Sequence, residues 1–112
     1  MKRIEAIIRP SKVNQMCAIL EKVGYSGVTI SDVEGHGSQK GTQRKVRGIT
    51  YNVPFVEKKR VVLVVKDKEV DRIMNAIREA VSTDEIGDGK IFVSSMDNAM
   101  RIRTGETGEA AV

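Results

Sequence analysis

Residues 60–65, RVVLVV, are the most strand-like run in the chain and are apolar on both faces. A strand of that kind lies in the interior of a sheet, with a neighbour on each side. The rest of the sequence must supply those neighbours and a layer to cover them. Upstream, KRIEAII (2–8) places Ile4, Ala6 and Ile8 on one face and Ile7 on the other, which makes a first strand closed by Pro10. Ser11 is placed to cap a helix in which Val13, Met16, Cys17, Leu20 and Val23 recur at helical spacing until Gly24. The segment VTISDV (28–33) reads as a second strand running toward Gly35. Downstream, Asp67 can cap a second helix with Val70, Ile73, Met74, Ile77 and Val81 as its buried stripe. The turn STDEIGDG then leads to a fourth strand, KIFVSSM (90–96).

This order, βαββαβ, is the α+β ferredoxin-like plan, an antiparallel four-stranded sheet with both helices on one face. With 112 residues, 40% of them apolar and 30% charged, the chain is expected to form one soluble domain, residues 1–112. The helix-free sheet face would keep apolar area at Ile7, at Val62 or Val64, and at Phe92 or Val93. A domain this small normally hides such a patch by self-association, so a homo-oligomer is expected. There is no run of 18 apolar residues and no signal-peptide pattern, which points to a cytoplasmic protein without membrane insertion. Cys17 lies on the apolar stripe of the first helix and reads as a small core residue.

Between strands two and three, residues 35–60 hold seven Lys or Arg against one acid, a net +6 where the whole chain is +4. Gly41, Gly48 and Pro54 interrupt any regular period, so the stretch reads as a long loop without secondary structure of its own, and as a functional one. Two Tyr, two Phe and no Trp leave little for stacking bases. Direct nucleic-acid recognition is not expected.

Three features point instead to a small anionic ligand. IGDGK (86–90) sets two glycines around Asp88 beside Lys90, and GHGSQKG (35–41) has the same character, so backbone amides can approach a ligand closely. From Asn98 to Val112 no core period is visible, and Arg101 and Arg103, two apart, would project to one side of an extended segment. There is no P-loop, no Cys/His cluster at metal spacing and no nucleophile set beside His36, which reads as a loop residue. Arg9-Pro10-Ser11 with Asn14 imitates an acylphosphatase site poorly, so no enzymatic activity is expected.

KRIEAIIRP, GVTISDVEGHGSQKG, EIGDGKIFV and RIRTGETGEAAV together resemble the PII-type nitrogen-regulatory signal proteins, and the resemblance runs from Met1 to Val112. It implies a compact homotrimer that binds ATP or ADP in clefts between subunits and senses 2-oxoglutarate through Mg-ATP. By the same resemblance, Thr29, Gly35, Gly37, Ser38, Gln39, Val64, Gly87, Asp88, Gly89 and Lys90 belong to the nucleotide site, joined by Arg101 and Arg103 of an adjacent subunit. Gln39 would complete the Mg²⁺ shell. Lys58, with Gln39, Lys40, Gly41 and Gly87, would hold 2-oxoglutarate, and as a loop lysine it would contribute little to stability.

Residues 35–58 would then be the effector loop. Arg47 stands where relatives meet an ammonium channel and Tyr51 where some are covalently modified; nitrogen-assimilation enzymes and nitrogenase regulation are the other target classes. The tip departs from the family's usual sequence: it reads Val46-Arg47-Gly48-Ile49-Thr50-Tyr51, and Ile49 removes a serine that some relatives phosphorylate. Val62 replaces a common Glu. The alternative is a nucleotide-sensing regulator of another pathway that uses neither 2-oxoglutarate nor covalent modification.

Overall fold

A computed structural model describes residues 1–25, 27–37, 43–52 and 55–112, without the side chains of 43–46 and 50–52. Six strands and two helices follow one another as β1 (Lys2–Ile8), α1 (Val13–Val23), β2 (Thr29–Gly35), β3 (Gln43–Val46), β4 (Ile49–Asn52), β5 (Val56–Val65), α2 (Val70–Val81) and β6 (Lys90–Ser95). Four of the strands make one antiparallel sheet in the order β2-β5-β1-β6, while β3 and β4 pair only with each other. The inner strands, β1 and β5, supply the buried residues of the sheet, and no residue of either edge strand is buried. The architecture is the ferredoxin-like one.

Register decides which side chains meet the helices. Ile4 lies opposite Leu63, Ala6 opposite Val61 and Ile8 opposite Lys59. Because directly opposed residues share a face, Ile4, Ala6, Ile8, Val61, Leu63 and Val65 point together, and all six are buried. They close on Met16 and Leu20 of α1 and on Ile73, Ile77 and Val81 of α2. Among the described residues the buried core is aliphatic apart from the Met16 thioether, with Tyr25 packed against it.

On the opposite face, Ile7, Val62, Val64 and Phe92 alternate with charge. Val93 is opposite Ile4 and so belongs to the helix side. The Glu5 carboxylate accepts Arg60 Nε at 2.6 Å on one oxygen and pairs with Arg3 Nη2 at 3.1 Å on the other, which fixes three charges in the middle of this face. Phe92, opposite Glu5, is 53% exposed.

Three expectations need correction. Ser11 and Asp67 cap no helix through their side chains; short 3₁₀ turns at Pro10–Lys12 and Asp67–Glu69 lead into α1 and α2 instead. Asp67 is the first residue of its turn and not the cap of α2, and its Oδ1 pairs with the Met1 ammonium at 2.8 Å. The stretch between β2 and β5 is not without secondary structure, because β3 and β4 form a hairpin within it. Arg47 (φ 53°) and Gly48 (φ 80°) occupy its turn, and positive φ at both central positions suits the right-handed twist of the flanking strands. The third sheet strand also begins at Val56, four residues before the apolar run, because Glu57, Lys58 and Lys59 pair with Glu34, Val33 and Asp32 of β2.

Leu20 is fully buried between the sheet and the helices. Leu20→Ala is expected to destabilise the domain by about 2–5 kcal/mol, read as a lower urea midpoint at unchanged slope.

Candidate anion-binding site

The turn between α2 and β6 is built around one close approach. Gly89 has φ 98°, and a Cβ placed on it would lie 1.6 Å from the Ile7 carbonyl oxygen. Only glycine fits against the end of β1 there, so Gly89 is required for packing whatever else it does. Asp88, beside it, folds the turn back on itself. Its carboxylate accepts the Thr83 N–H at 2.8 Å, the Asp84 N–H at 3.0 Å and the Thr83 hydroxyl, and Arg9 Nε at 3.3 Å. These donors, Thr83 first, hold the Asp88 pKa down to about 2.

Two cations hold the next part of the turn through its carbonyls. Arg9 Nη2 donates to Ile86 O at 2.8 Å and Lys58 Nζ to Gly87 O at 2.5 Å. Lys58 is not an exposed loop residue: it lies within β5 and is only 8% exposed. Burial lowers its pKa, as does the neighbouring Arg9 charge, while Asp88 acts the other way. An ammonium withdrawn from water and held near an open cleft is a receptor for an anion.

The cleft has a volume of about 540 Å³. Gly35, His36 and Gly37 line it from the end of β2, Val56 and Lys58 from the start of β5, and residues 85–90 from the turn. Ile7 and Phe92 carry its wall onto the open sheet face. Seven sequence candidates, Gly35, Gly37, Lys58, Gly87, Asp88, Gly89 and Lys90, are thus brought to one place. His36 rests edge-on against Phe55, with ring centroids 5.9 Å apart and planes at 66°, so the two roots of the 35–58 segment touch beside the cleft.

Other candidates stand elsewhere within the chain. Thr29, opposite Val62, and Val64, opposite Arg3, lie further along the open face. Arg47 is exposed at the hairpin turn and Tyr51 sits in β4 opposite Arg44. Ser38, Gln39, Lys40 and Gly41 fall outside the described residues. Arg101 and Arg103 are not in an extended segment: the Gly105 N–H donates to Arg101 O at 2.7 Å and the Arg101 N–H to Glu106 O at 2.8 Å. That turn, with Gly105 at φ 73°, cancels the same-side argument for residues two apart. Neither arginine lines its own chain's cleft, and both are exposed.

Two residues that shape the site were missed. Arg9 carries a weak signal, that of a cation at a strand end beside Pro10, which is well placed to grip a neighbouring turn. Thr83 opens an acid-rich turn, and an Asp whose carboxylate accepts backbone N–H groups a few residues back, as Asp88 does from Thr83 and Asp84, is a recognisable local device.

A family model described as "Nitrogen regulatory protein P-II" matches residues 1–106. Curated relatives of that name are 46% identical over 112 residues in Bradyrhizobium diazoefficiens and 47% identical over 112 residues in Rhodobacter capsulatus, with all of both chains covered in each case. This chain belongs to the P-II family. A crystal structure of Arabidopsis thaliana PII bound to citrate superposes with a TM-score of 0.81 at 41% identity, covering 99% of this chain and 91% of that one. The family is regulatory by description. Among the described residues no helix of this P-II protein is long and apolar enough to cross a membrane.

Two outcomes follow for the turn. Gly89→Ala is expected to cost about 3 kcal/mol or more, since backbone must move to admit the Cβ at a positive φ; chemical denaturation measures it. Asp88 has its pKa lowered in the fold, so its contribution to stability is present above the ordinary carboxylate value of 3.8 and is lost as pH falls through about 2. A carboxyl-carbon NMR titration should therefore place its midpoint well below those of the exposed carboxylates, and Thr83→Val should raise it.

Proposed function

We propose that this P-II protein is a homotrimeric signal protein that binds ATP or ADP with Mg²⁺, and 2-oxoglutarate, in clefts between subunits. It reports their occupancy to target proteins through residues 35–58. The observation that carries this reading is the convergence of Gly35, Gly37, Lys58 and the Gly87–Lys90 turn on one cleft. The cleft opens along the helix-free sheet face, whose Ile7, Val62, Val64 and Phe92 are suited to contact with another copy. A second copy also accounts for Arg101 and Arg103, which are exposed and stand outside their own chain's cleft.

The residues present fit an anionic group. Lys58 and Lys90 border the cleft, Asp88 is fully engaged with its own turn, and Gly87 at φ 104° lets backbone come close. Mg²⁺ is commonly held by substrate phosphates plus one or two protein oxygens, which Gln39 would supply. When bound, the metal, held by the phosphates, would supply a Lewis-acidic centre for the oxygens of a 2-oxoacid. Lys58 would then exchange the Gly87 carbonyl for the distal carboxylate, a stronger, charge-assisted partner. That the Arabidopsis relative carries citrate, another multivalent carboxylate, is in keeping with this role.

Lys58 is in β5 and the segment it terminates begins at Gly35, directly opposite Val56. A change in what Lys58 holds therefore acts at the root of the hairpin that carries Arg47 and Tyr51. That hairpin would meet the partner: an ammonium channel, an enzyme of nitrogen assimilation or a component of nitrogenase regulation.

Calorimetry with Mg-ATP tests the nucleotide part. Combining Arg101→Ala and Arg103→Ala should weaken binding by about 1.5–3 kcal/mol per lost charge-assisted contact; unchanged affinity would remove both residues from the site. Lys58→Met keeps the buried stem and removes the charge. In ¹⁵N-labelled native protein with Mg-ATP, 2-oxoglutarate should shift the Arg47 and Gly48 amides, and in the trimeric Lys58→Met variant it should not. An equal response in both would deny Lys58 the sensor role.

A further inference from the structure

The turn that closes the nucleotide cleft has a second side. On the helix side of the sheet, the edge strand β6 is thinly covered: Val93, although opposite the fully buried Ile4, is 39% exposed. Between β6 and α2 runs a groove of about 350 Å³, within the range of small-molecule sites, ~300–1,000 Å³. Its floor is apolar, from Ile8, Met74, Val81 and Ile91. Asn75 and Arg78, three apart on α2 and so neighbours on its surface, stand at its side.

The charge in this groove is one-sided. Arg78 makes no ion pair among the described residues. The groove's acid, Asp88, already has both oxygens engaged by Thr83, Asp84 and Arg9. A guanidinium fork beside an amide, over an aliphatic floor, matches a planar carboxylate with an apolar body. Such a ligand covers apolar surface that the fold leaves open and meets a cation that lacks an anion.

We propose that this groove binds a small carboxylic acid with an apolar body, its carboxylate on Arg78 and Asn75 and its apolar part on Met74 and Ile91. The stretch Asp88–Gly89–Lys90 borders both this groove and the nucleotide cleft. Resting on the nucleotide reading, occupancy of one therefore changes the affinity of the other, by the same factor in each direction.

Hexanoate is a suitable probe, titrated into ¹⁵N-labelled nucleotide-free protein. Saturable shifts at Asn75, Arg78, Ser82 and Ile91 are expected, weakened about tenfold or more in Arg78→Gln and less in Arg78→Lys, which keeps the charge but loses the fork. Hexylamine, with the same body and the opposite charge, should not bind there. Equal binding of hexanoate to Arg78→Gln, equal binding of hexylamine, or shifts confined to the open sheet face would each overturn the site. Calorimetry of Mg-ATP with and without saturating hexanoate then reads the coupling. An ATP affinity blind to hexanoate overturns it, whereas no ATP binding at all would sink the nucleotide reading and leave the groove result standing.

Discussion

The contact between Gly89 and the Ile7 carbonyl is the constraint from which the site follows. Because no side chain fits between them, the turn after α2 is pressed onto the end of β1, and Lys90 can then start β6 directly opposite Ile7. Seating the turn there brings its carbonyls at 86 and 87 within reach of Arg9, which continues β1, and of Lys58, which belongs to the neighbouring strand β5. Asp88 ties the other end back to Thr83 and Asp84. One backbone contact thus assembles a cleft from three separate parts of the chain.

Burial and the neighbouring Arg9 charge lower the Lys58 pKa, and its ammonium donates to the neutral Gly87 carbonyl. A neutral carbonyl is a weaker partner for an ammonium than a carboxylate. The open sheet face carries a related tension: its apolar residues surround a Glu5 carboxylate shared by Arg3 and Arg60. Ion pairs placed so are compatible with a face that packs against another copy, provided their partners stay together on burial.

The sheet, its two central strands and the aliphatic stripes of both helices were legible because hydrophobic period survives in local sequence. Where tertiary pairing decides, sequence was less informative. Lys58 and Lys59 look like loop charges until β2 is seen to pair with them, and Lys59 then meets Asp32 across the ladder. The hairpin at 43–52 escaped notice because its signal is the backbone conformation of Arg47 and Gly48 rather than apolar alternation. RIRTGE looks extended at Arg101 and Arg103 because nothing in it declares the turn that Gly105 closes. Gly87, Asp88 and Gly89 were read as ligand contacts; the fold gives Asp88 and Gly89 structural reasons of their own, and Arg9, the cation that steadies them, lies 79 residues away from Asp88 in sequence.

We propose that the Lys58 cleft becomes a 2-oxoacid site only when phosphates and a metal complete it. Calorimetric titration of 2-oxoglutarate into the native protein, with Mg-ATP and without nucleotide, tests this most directly. Saturable binding in the presence of Mg-ATP and none in its absence is expected; equally tight binding to the nucleotide-free protein would show that the 2-oxoacid site forms without the metal and phosphates.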